Sequence, residues 1–121
     1  MKAILIVEDH AAMRELLSCG LKMMGFSVIA AKNGQEALEK ATVEKPQLIL
    51  LDIIMPSMDG WTTARALRRR PETKEIPILA ATALFREADL KTCLEAGCTV
   101  YLLKPFTFEE LKAKVWELLP K

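Results

Sequence analysis

The sequence LILLDIIMP, Leu48 to Pro56, places an aspartate directly after four consecutive apolar residues. The run Leu48–Leu51 is too short for a helix and is typical of a strand that is buried on both faces of a parallel sheet. A charged carboxylate at the end of such a strand is costly when it is buried without a partner. The position of Asp52 therefore predicts that cationic or polar groups from other parts of the chain lie close to its carboxylate.

The rest of the chain repeats this pattern of a short apolar run followed by an amphipathic helix. The other runs of strand length are Ala3–Val7, Phe26–Ala30, Ile76–Ala81 and Val100–Leu103. Successive strand–helix units with short connections favour a doubly wound parallel sheet that is covered on both faces. We therefore predict one α/β domain, residues 1–121, and take 2-1-3-4-5, a common doubly wound order, as the hypothesis for its five strands.

Capping residues and apolar spacing predict the positions of the helices. Asn33 with Glu36, and Thr107 with Glu110, have the capping-box spacing at the start of the second and fifth helices. Gly25 is expected to end the first helix. The buried stripe expected for that helix consists of Met13, Leu16, Leu17, Leu21 and Met24.

The composition is typical of a small globular protein, because 51% of the 121 residues are apolar and 27% are charged. A net charge of +1 gives no electrostatic basis for binding nucleic acid or a membrane surface. The apolar run Ala3–Val7 is too short for a signal peptide or a membrane span. We predict a cytoplasmic protein with reduced cysteines, and interpret the triplet Arg68–Arg70 as a solvated helix end rather than a nucleic-acid contact.

Polar side chains stand at the ends of four of the five predicted strands. Glu8 and Asp9 follow the first strand, Asp52 the third, Thr82 the fourth and Lys104 the fifth. The carboxyl ends of parallel strands lie at one edge of the sheet, where ligands bind at the point of reversed strand order. In the order 2-1-3-4-5 the first and third strands are neighbours, so Asp52 meets the acidic pair.

Three clustered carboxylates raise one another's pKa unless a cation neutralises them. Mg²⁺ suits such a site, since it prefers one or two carboxylates, several waters and a phosphate oxygen. Lys104 adds an ammonium group and Thr82 a hydroxyl donor, which together favour a receptor for a phosphoryl group. Asp52 is then a nucleophile that attacks phosphorus and becomes an acyl phosphate.

Taken singly, these residues also have structural interpretations. Asp9 is a candidate cap of the first helix, Thr82 a candidate turn residue, and Lys104 a candidate ion-pair partner of Asp52. Capping and pairing explain poorly why groups from four separate strands gather at one edge, and the joint pattern favours a functional site.

Four blocks of the chain resemble, in order and in spacing, the signature motifs of response-regulator receiver domains, the aspartate-phosphorylated modules of two-component signalling. They are VED at 7–9, LLDIIMPSMDG at 50–60, TA at 82–83 and YLLKPF at 101–106. The resemblance covers essentially the whole chain and implies a flavodoxin-like (βα)5 fold.

The resemblance also implies roles for individual residues. Asp52 would accept the phosphoryl group and Lys104 would pair with that group. The side chains of Glu8, Asp9 and Asp52 would hold Mg²⁺ together with the backbone carbonyl of Ile54.

A conformational switch is implied as well. Thr82 would move to hydrogen-bond the phosphoryl group, and Tyr101 would turn inward as the switch aromatic. Pro105 would follow a cis peptide bond. The surface that reports the state to partners would extend roughly over residues 85–119.

The partners implied are a sensor histidine kinase or a histidine phosphotransfer protein as phosphodonor, and a downstream protein target. We expect no binding of nucleic acid or membrane by this domain, and a monomer or a phosphorylation-dependent dimer. Catalysis would be limited to the domain's own phosphotransfer and slow autodephosphorylation, so we do not expect an enzyme in the usual sense.

Three alternatives are weaker. A phosphatase of the haloacid dehalogenase type needs a second aspartate two residues after the nucleophile, where this chain has Ile54. A flavin or nucleotide carrier needs a glycine-rich loop after the first strand, where Glu8 and Asp9 would repel phosphates. An inactive pseudo-receiver would lack one of the catalytic positions, all of which are filled here.

Overall fold

The computed structural model describes residues 3–55, 59–83 and 86–119. Five strands alternate with five helices within these ranges: β1 (Ala3–Val7), α1 (Ala11–Met23), β2 (Ser27–Ala31), α2 (Gly34–Glu44), β3 (Leu48–Asp52), α3 (Gly60–Arg69), β4 (Ile78–Thr82), α4 (Glu87–Glu95), β5 (Val100–Leu103) and α5 (Phe108–Leu118). The strands are parallel in the order β2-β1-β3-β4-β5, which confirms the predicted doubly wound sheet. None of the described helices has the length and apolar content that a membrane span requires.

Side chains of the strands alternate between two apolar layers, one on each face of the sheet. One layer is closed by α2, α3 and α4, which contribute Leu38, Leu67 and Cys93 among others. The other layer is closed by α1 and α5, through residues that include Leu21 and Leu111. Every residue of the central strand β3 is buried, because that strand is covered on both faces.

Two strands begin later than their apolar runs predicted. β2 starts at Ser27 rather than Phe26, whose N–H donates to a carbonyl in the last turn of α1. β4 starts at Ile78 rather than Ile76, whose N–H donates to the carbonyl of Thr73. In both cases a turn uses the N–H group that the strand would have needed.

The predicted stripe of α1 is only partly buried. Leu17 and Leu21 lie in the core, whereas Met13 is 37% exposed and Leu16 is 52% exposed. A helix on a sheet buries only one side of its circumference, and this set of apolar residues is wider than that side. The exposed members line an apolar groove toward the start of α5.

The capping predictions are confirmed at α5 and half confirmed at α2. Thr107 and Glu110 exchange both bonds of a capping box. Asn33 accepts the N–H of Glu36 at 2.8 Å. The Glu36 carboxylate, however, pairs with Lys40 at 3.1 Å instead of returning to the backbone of Asn33.

The prediction of a solvated arginine triplet is wrong for two of its three members. Arg68 donates to the carbonyl of Gly97 at 2.8 Å and to that of Ile76 at 2.6 Å. Arg70 donates to the hydroxyl of Thr42 at 3.1 Å. These guanidinium groups tie α3 to its neighbours, and only Arg69 is exposed.

Candidate functional site

Strand register brings the predicted polar residues to one edge of the sheet. Val7 of β1 pairs with Leu51 of β3, so the next residues, Glu8 and Asp52, lie side by side at the ends of these neighbouring strands. Asp52 pairs with Ala81 of β4. Thr82 pairs with Leu103 of β5, which immediately precedes Lys104 in the chain.

Three carboxylates converge at this edge. One oxygen from each of Glu8, Asp9 and Asp52 lies within 4.8 Å of the others. Glu8 and Asp52 are buried, with exposed fractions of 4% and 7%, whereas Asp9 is exposed. The cluster is therefore open to solvent on one side and closed by the sheet on the other.

The Lys104 ammonium bridges the two buried carboxylates. Its Nζ lies 3.2 Å from Asp52 Oδ1 and 3.5 Å from Glu8 Oε1. This ammonium pairs with two carboxylates, and Asp9 adds a third beside them, so the side chains of the cluster carry an excess of negative charge. Burial raises the pKa of the Glu8 carboxyl, and the neighbouring Asp52 raises that pKa further.

The raised pKa of Glu8 makes the metal-free protein sensitive to pH. The folded state holds a proton on Glu8 more tightly than the unfolded state, so this carboxyl costs stability as the pH rises above its ordinary value of 4.5. We expect Glu8→Gln to raise the thermal midpoint at neutral pH in metal-free buffer. The gain should shrink as the pH falls toward that ordinary value, in melts compared with those of the exposed-site variant Glu39→Gln. A gain that persists unchanged at acidic pH would contradict this linkage.

The loop between β1 and α1 holds Glu8 in place. The Glu8 N–H donates to the carbonyl of Ala31, and Glu8 Oε2 accepts the N–H of His10 at 3.1 Å. His10, not Asp9, caps α1, because its side chain accepts the N–H of Met13. The capping alternative for Asp9 is therefore wrong.

Sequence reasoning missed a third support of this loop. Arg14, in the first turn of α1, donates from Nη1 to the carbonyl of Glu8 at 2.8 Å and to that of Asp9 at 3.4 Å. The available signal was an arginine one helical turn past the acidic pair, where its side chain reaches back over the loop.

Thr82 and Ile54 lie at the same edge of the sheet, and Tyr101 lies two residues before the end of β5. Thr82 is fully buried, and its carbonyl accepts the N–H of Lys104 at 2.8 Å. Tyr101 is half-buried and packs on the layer closed by α2, α3 and α4. Ile54 follows β3 with its side chain 56% exposed, and the role of its carbonyl stays a prediction. The Lys104–Pro105 peptide is cis, as the resemblance implied.

The connection from β3 to α3 is tight beside Asp52. The N–H of Gly60 donates to the carbonyl of Ile53 at 2.7 Å. Asp59 caps α3 by accepting the N–H of Thr62 at 2.8 Å. Residues 56–58 of the quoted motif lie outside the described residues.

An apolar groove of about 360 Å³ begins next to the acidic cluster. Ala83 and Lys104 line it on the side of the cluster, and residues of α1, of the loop before α5 and of the start of α5 form the rest of its wall. The wall residues are Met13, Leu16, Leu17, Phe106 and Phe108, with Pro105 between them. A partner that reaches Asp52 can therefore make apolar contacts immediately beside it.

The donor set of the cluster fits a small, hard divalent cation. All three side chains offer carboxylate oxygens, the ligand type that Mg²⁺ prefers, and Asp9 keeps the site open to water. A dication would also balance the negative charge that Lys104 leaves uncompensated. The residues thus fit Mg²⁺, with Glu8, Asp9 and Asp52 as its candidate ligands.

Comparison with known proteins agrees with this geometry. Residues 4–116 match the response regulator receiver domain. The chain belongs to this family. Receiver domains of this family serve two-component signalling, and this chain has their fold of five parallel strands and five helices.

Two relatives are transcriptional regulators. The chain is 41% identical over 118 residues to a probable transcriptional regulator ycf27 of Cyanophora paradoxa, covering 98% of this chain and 48% of that protein. The same values apply to the alkaline phosphatase synthesis transcriptional regulatory protein PhoP of Bacillus subtilis. The chain therefore spans about half the length of these relatives.

Solved receiver domains have the same architecture along their whole length. The chemotaxis protein CheY4 of Vibrio cholerae superposes with a TM-score of 0.94 at 32% identity, covering 98% of this chain and 99% of that one. The receiver domain of a sensor histidine kinase from Pseudomonas aeruginosa gives 0.90 at 31% identity, with coverage of 97% and 96%. That domain has a magnesium ion coordinated in its active-site cleft.

Proposed function

We propose that this receiver domain takes a phosphoryl group from a phosphohistidine donor onto Asp52, with Mg²⁺ as its cofactor. The observation that carries the proposal is the arrangement around Asp52. A buried carboxylate at a strand end faces an ammonium group at 3.2 Å and two further carboxylates that suit a cation. The donor would be a sensor histidine kinase or a histidine phosphotransfer protein.

In the proposed transfer, an oxygen of Asp52 attacks the phosphorus atom while the bond from phosphorus to the donor's imidazole nitrogen breaks. The electron pair of that bond stays on the imidazole, which takes up a proton from water. Lys104 exchanges its contact with the Asp52 oxygen for one with a phosphoryl oxygen, so that the developing charge stays paired. Mg²⁺, when bound by Glu8, Asp9, Asp52 and the Ile54 carbonyl, supplies further compensation for charge on the phosphoryl oxygens.

The new phosphoryl group offers a hydrogen-bond acceptor beside β4. In our proposal the hydroxyl of Thr82 moves to donate a hydrogen bond to the phosphoryl group. Tyr101, a half-buried residue of β5, then turns inward and fills the space that Thr82 leaves. The free energy of these contacts shifts the equilibrium between inactive and active conformations, so the population of the active state rises. The responding surface would be formed by α4, β5 and α5, although Phe85 at its predicted start lies outside the described residues.

The groove beside Asp52 supports a helical phosphodonor. A donor histidine must bring phosphorus within bonding distance of a carboxylate that is only 7% exposed. A helix that carries this histidine can lay apolar side chains against Leu16 and Phe108 while it does so. We further propose that the domain acts in the cytoplasm, is a monomer before phosphorylation and signals to a downstream protein target. We expect the domain to bind neither nucleic acid nor membrane and to act on no other substrate.

Intact mass spectrometry with acetyl phosphate tests the proposed reaction. We expect the addition of one phosphoryl group in buffer with Mg²⁺ and none after treatment with a chelator, because the carboxylates then repel the incoming phosphate. Restoring Mg²⁺ should restore the addition. Equal modification with and without the metal would contradict the role of the cluster, and no addition under any condition would favour an inactive pseudo-receiver.

A further inference from the structure

Arg14 contacts the backbone that carries two of the three clustered carboxylates. Its Nη1 donates to the carbonyls of Glu8 and Asp9 at 2.8 and 3.4 Å. The helix holds Arg14 from both sides, since its N–H donates to the carbonyl of His10 and its carbonyl accepts the hydroxyl of Ser18 at 2.8 Å. The guanidinium thus links α1 to the loop that follows β1.

These two carbonyls determine how the loop presents its side chains. Rotation of either peptide plane would turn the carboxylate of Glu8 or Asp9 away from Asp52, because each side chain departs from the same backbone. The bond from the His10 N–H to Glu8 Oε2 depends on the same turn. Both bonds come from Nη1, which the guanidinium plane holds in a fixed orientation, whereas the lysine ammonium rotates on a flexible stem and would fix the two carbonyls less well.

We propose that Arg14 is a positioning residue for the divalent cation: by holding the carbonyls of Glu8 and Asp9, it keeps their carboxylates converged with that of Asp52. The inference rests on the metal site proposed above and adds a residue outside its ligand set. Groups that orient metal ligands typically affect metal affinity about 10–100-fold when they are removed. Arg14 does so through the backbone rather than by direct contact with the ligand atoms.

Calorimetric titration of the unphosphorylated protein with Mg²⁺ tests this role without relying on phosphotransfer. We expect Arg14→Gln to weaken Mg²⁺ binding about tenfold. Arg14→Lys should recover only part of the loss, since it restores the charge but not the planar donors. Arg69→Gln, which removes the same charge from an exposed position at the far end of α3, should leave the affinity unchanged.

Several results would overturn the proposal. Full recovery by Arg14→Lys would show that the planar donors are not required, and an equal loss in Arg69→Gln would show that the effect is not specific to the loop. Ser18→Ala removes the hydroxyl that bonds the Arg14 carbonyl without touching the loop. If it lowered both the thermal midpoint and the affinity as much as Arg14→Gln, the role would be merely structural.

The experiment separates this inference from the proposed function. Mg²⁺ binding by the wild type that is lost in Asp9→Asn but unchanged in Arg14→Gln would refute the role of Arg14 alone. Absence of Mg²⁺ binding by the wild type would refute both. If Arg14→Gln did not fold, the comparison of Arg14→Lys with wild type would still decide, because partial loss of affinity is expected there as well.

Discussion

Asp52→Asn is expected to abolish phosphoryl addition completely. An amide has almost the same shape as the carboxylate but is a poor nucleophile, and it cannot form a stable acyl phosphate. The substitution also removes one of the charges that raise the pKa of Glu8, so the variant should fold. Intact mass after incubation with acetyl phosphate and Mg²⁺ measures the loss directly.

Asp59→Asn is the matched control for this prediction. Asp59 is an exposed carboxylate at the end of the same connection, and asparagine caps a helix about as well as aspartate. The control should be modified at the wild-type rate and keep the wild-type melting temperature. Phosphoryl addition to Asp52→Asn at an undiminished rate would mean that another side chain is the acceptor, and the proposed mechanism would fail.

Gly60→Ala is expected to lower the free energy of unfolding by about 2–3 kcal/mol. A Cβ at this position would lie 2.5 Å from Ile53 Cα and 2.7 Å from the carbonyl oxygen of Asp52. Both are backbone atoms, so relief requires movement of the connection between β3 and α3. Because that connection carries Asp52, phosphoryl addition should slow as well. Urea unfolding and the rate of mass increase provide the two measurements.

Gly25→Ala separates this clash from the general cost of replacing a glycine. Gly25 has a φ of +95°, and among the described residues no atom beyond those of Gly25 and its two chain neighbours lies within 4 Å of the point that an alanine Cβ would occupy. Only the left-handed backbone therefore opposes alanine, at about 1–2 kcal/mol. Phosphoryl addition should not change in this variant. A smaller stability loss at Gly60 than at Gly25, together with a normal rate of addition, would contradict the argument from steric contact.

The fold class and most of the candidate site could be predicted from local patterns, whereas the strand order was a hypothesis taken from the common doubly wound topologies. Leu48–Leu51 is typical of a buried strand, and each short apolar run is followed by a helix, so a parallel sheet with one functional edge is the consistent solution. Glu8 and Asp52 then meet because β1 and β3 are adjacent, and the Lys104 side chain spans β4 to reach them.

Contacts made by long side chains could not be predicted in the same way. Arg68 reaches carbonyls of two loops, and Arg70 reaches a hydroxyl of α2. A cluster of arginines in the sequence has no periodicity that distinguishes these bonds from solvation. The burial of α1 was also overestimated, since apolar spacing shows which residues can be buried but not how much of the helix the sheet covers.

Local properties of the chain were enough to predict the fold class and the set of polar residues at the sheet edge, because hydrophobic periodicity and strand ends can be recognised without long-range contacts. The folded arrangement was needed to show which acceptors Arg14 finds, that His10 rather than Asp9 caps α1, and that Met13 and Leu16 face a groove instead of the core. Hydrogen bonds and burial of this kind depend on distances between elements. Those distances are set by packing, which no stretch of sequence encodes alone.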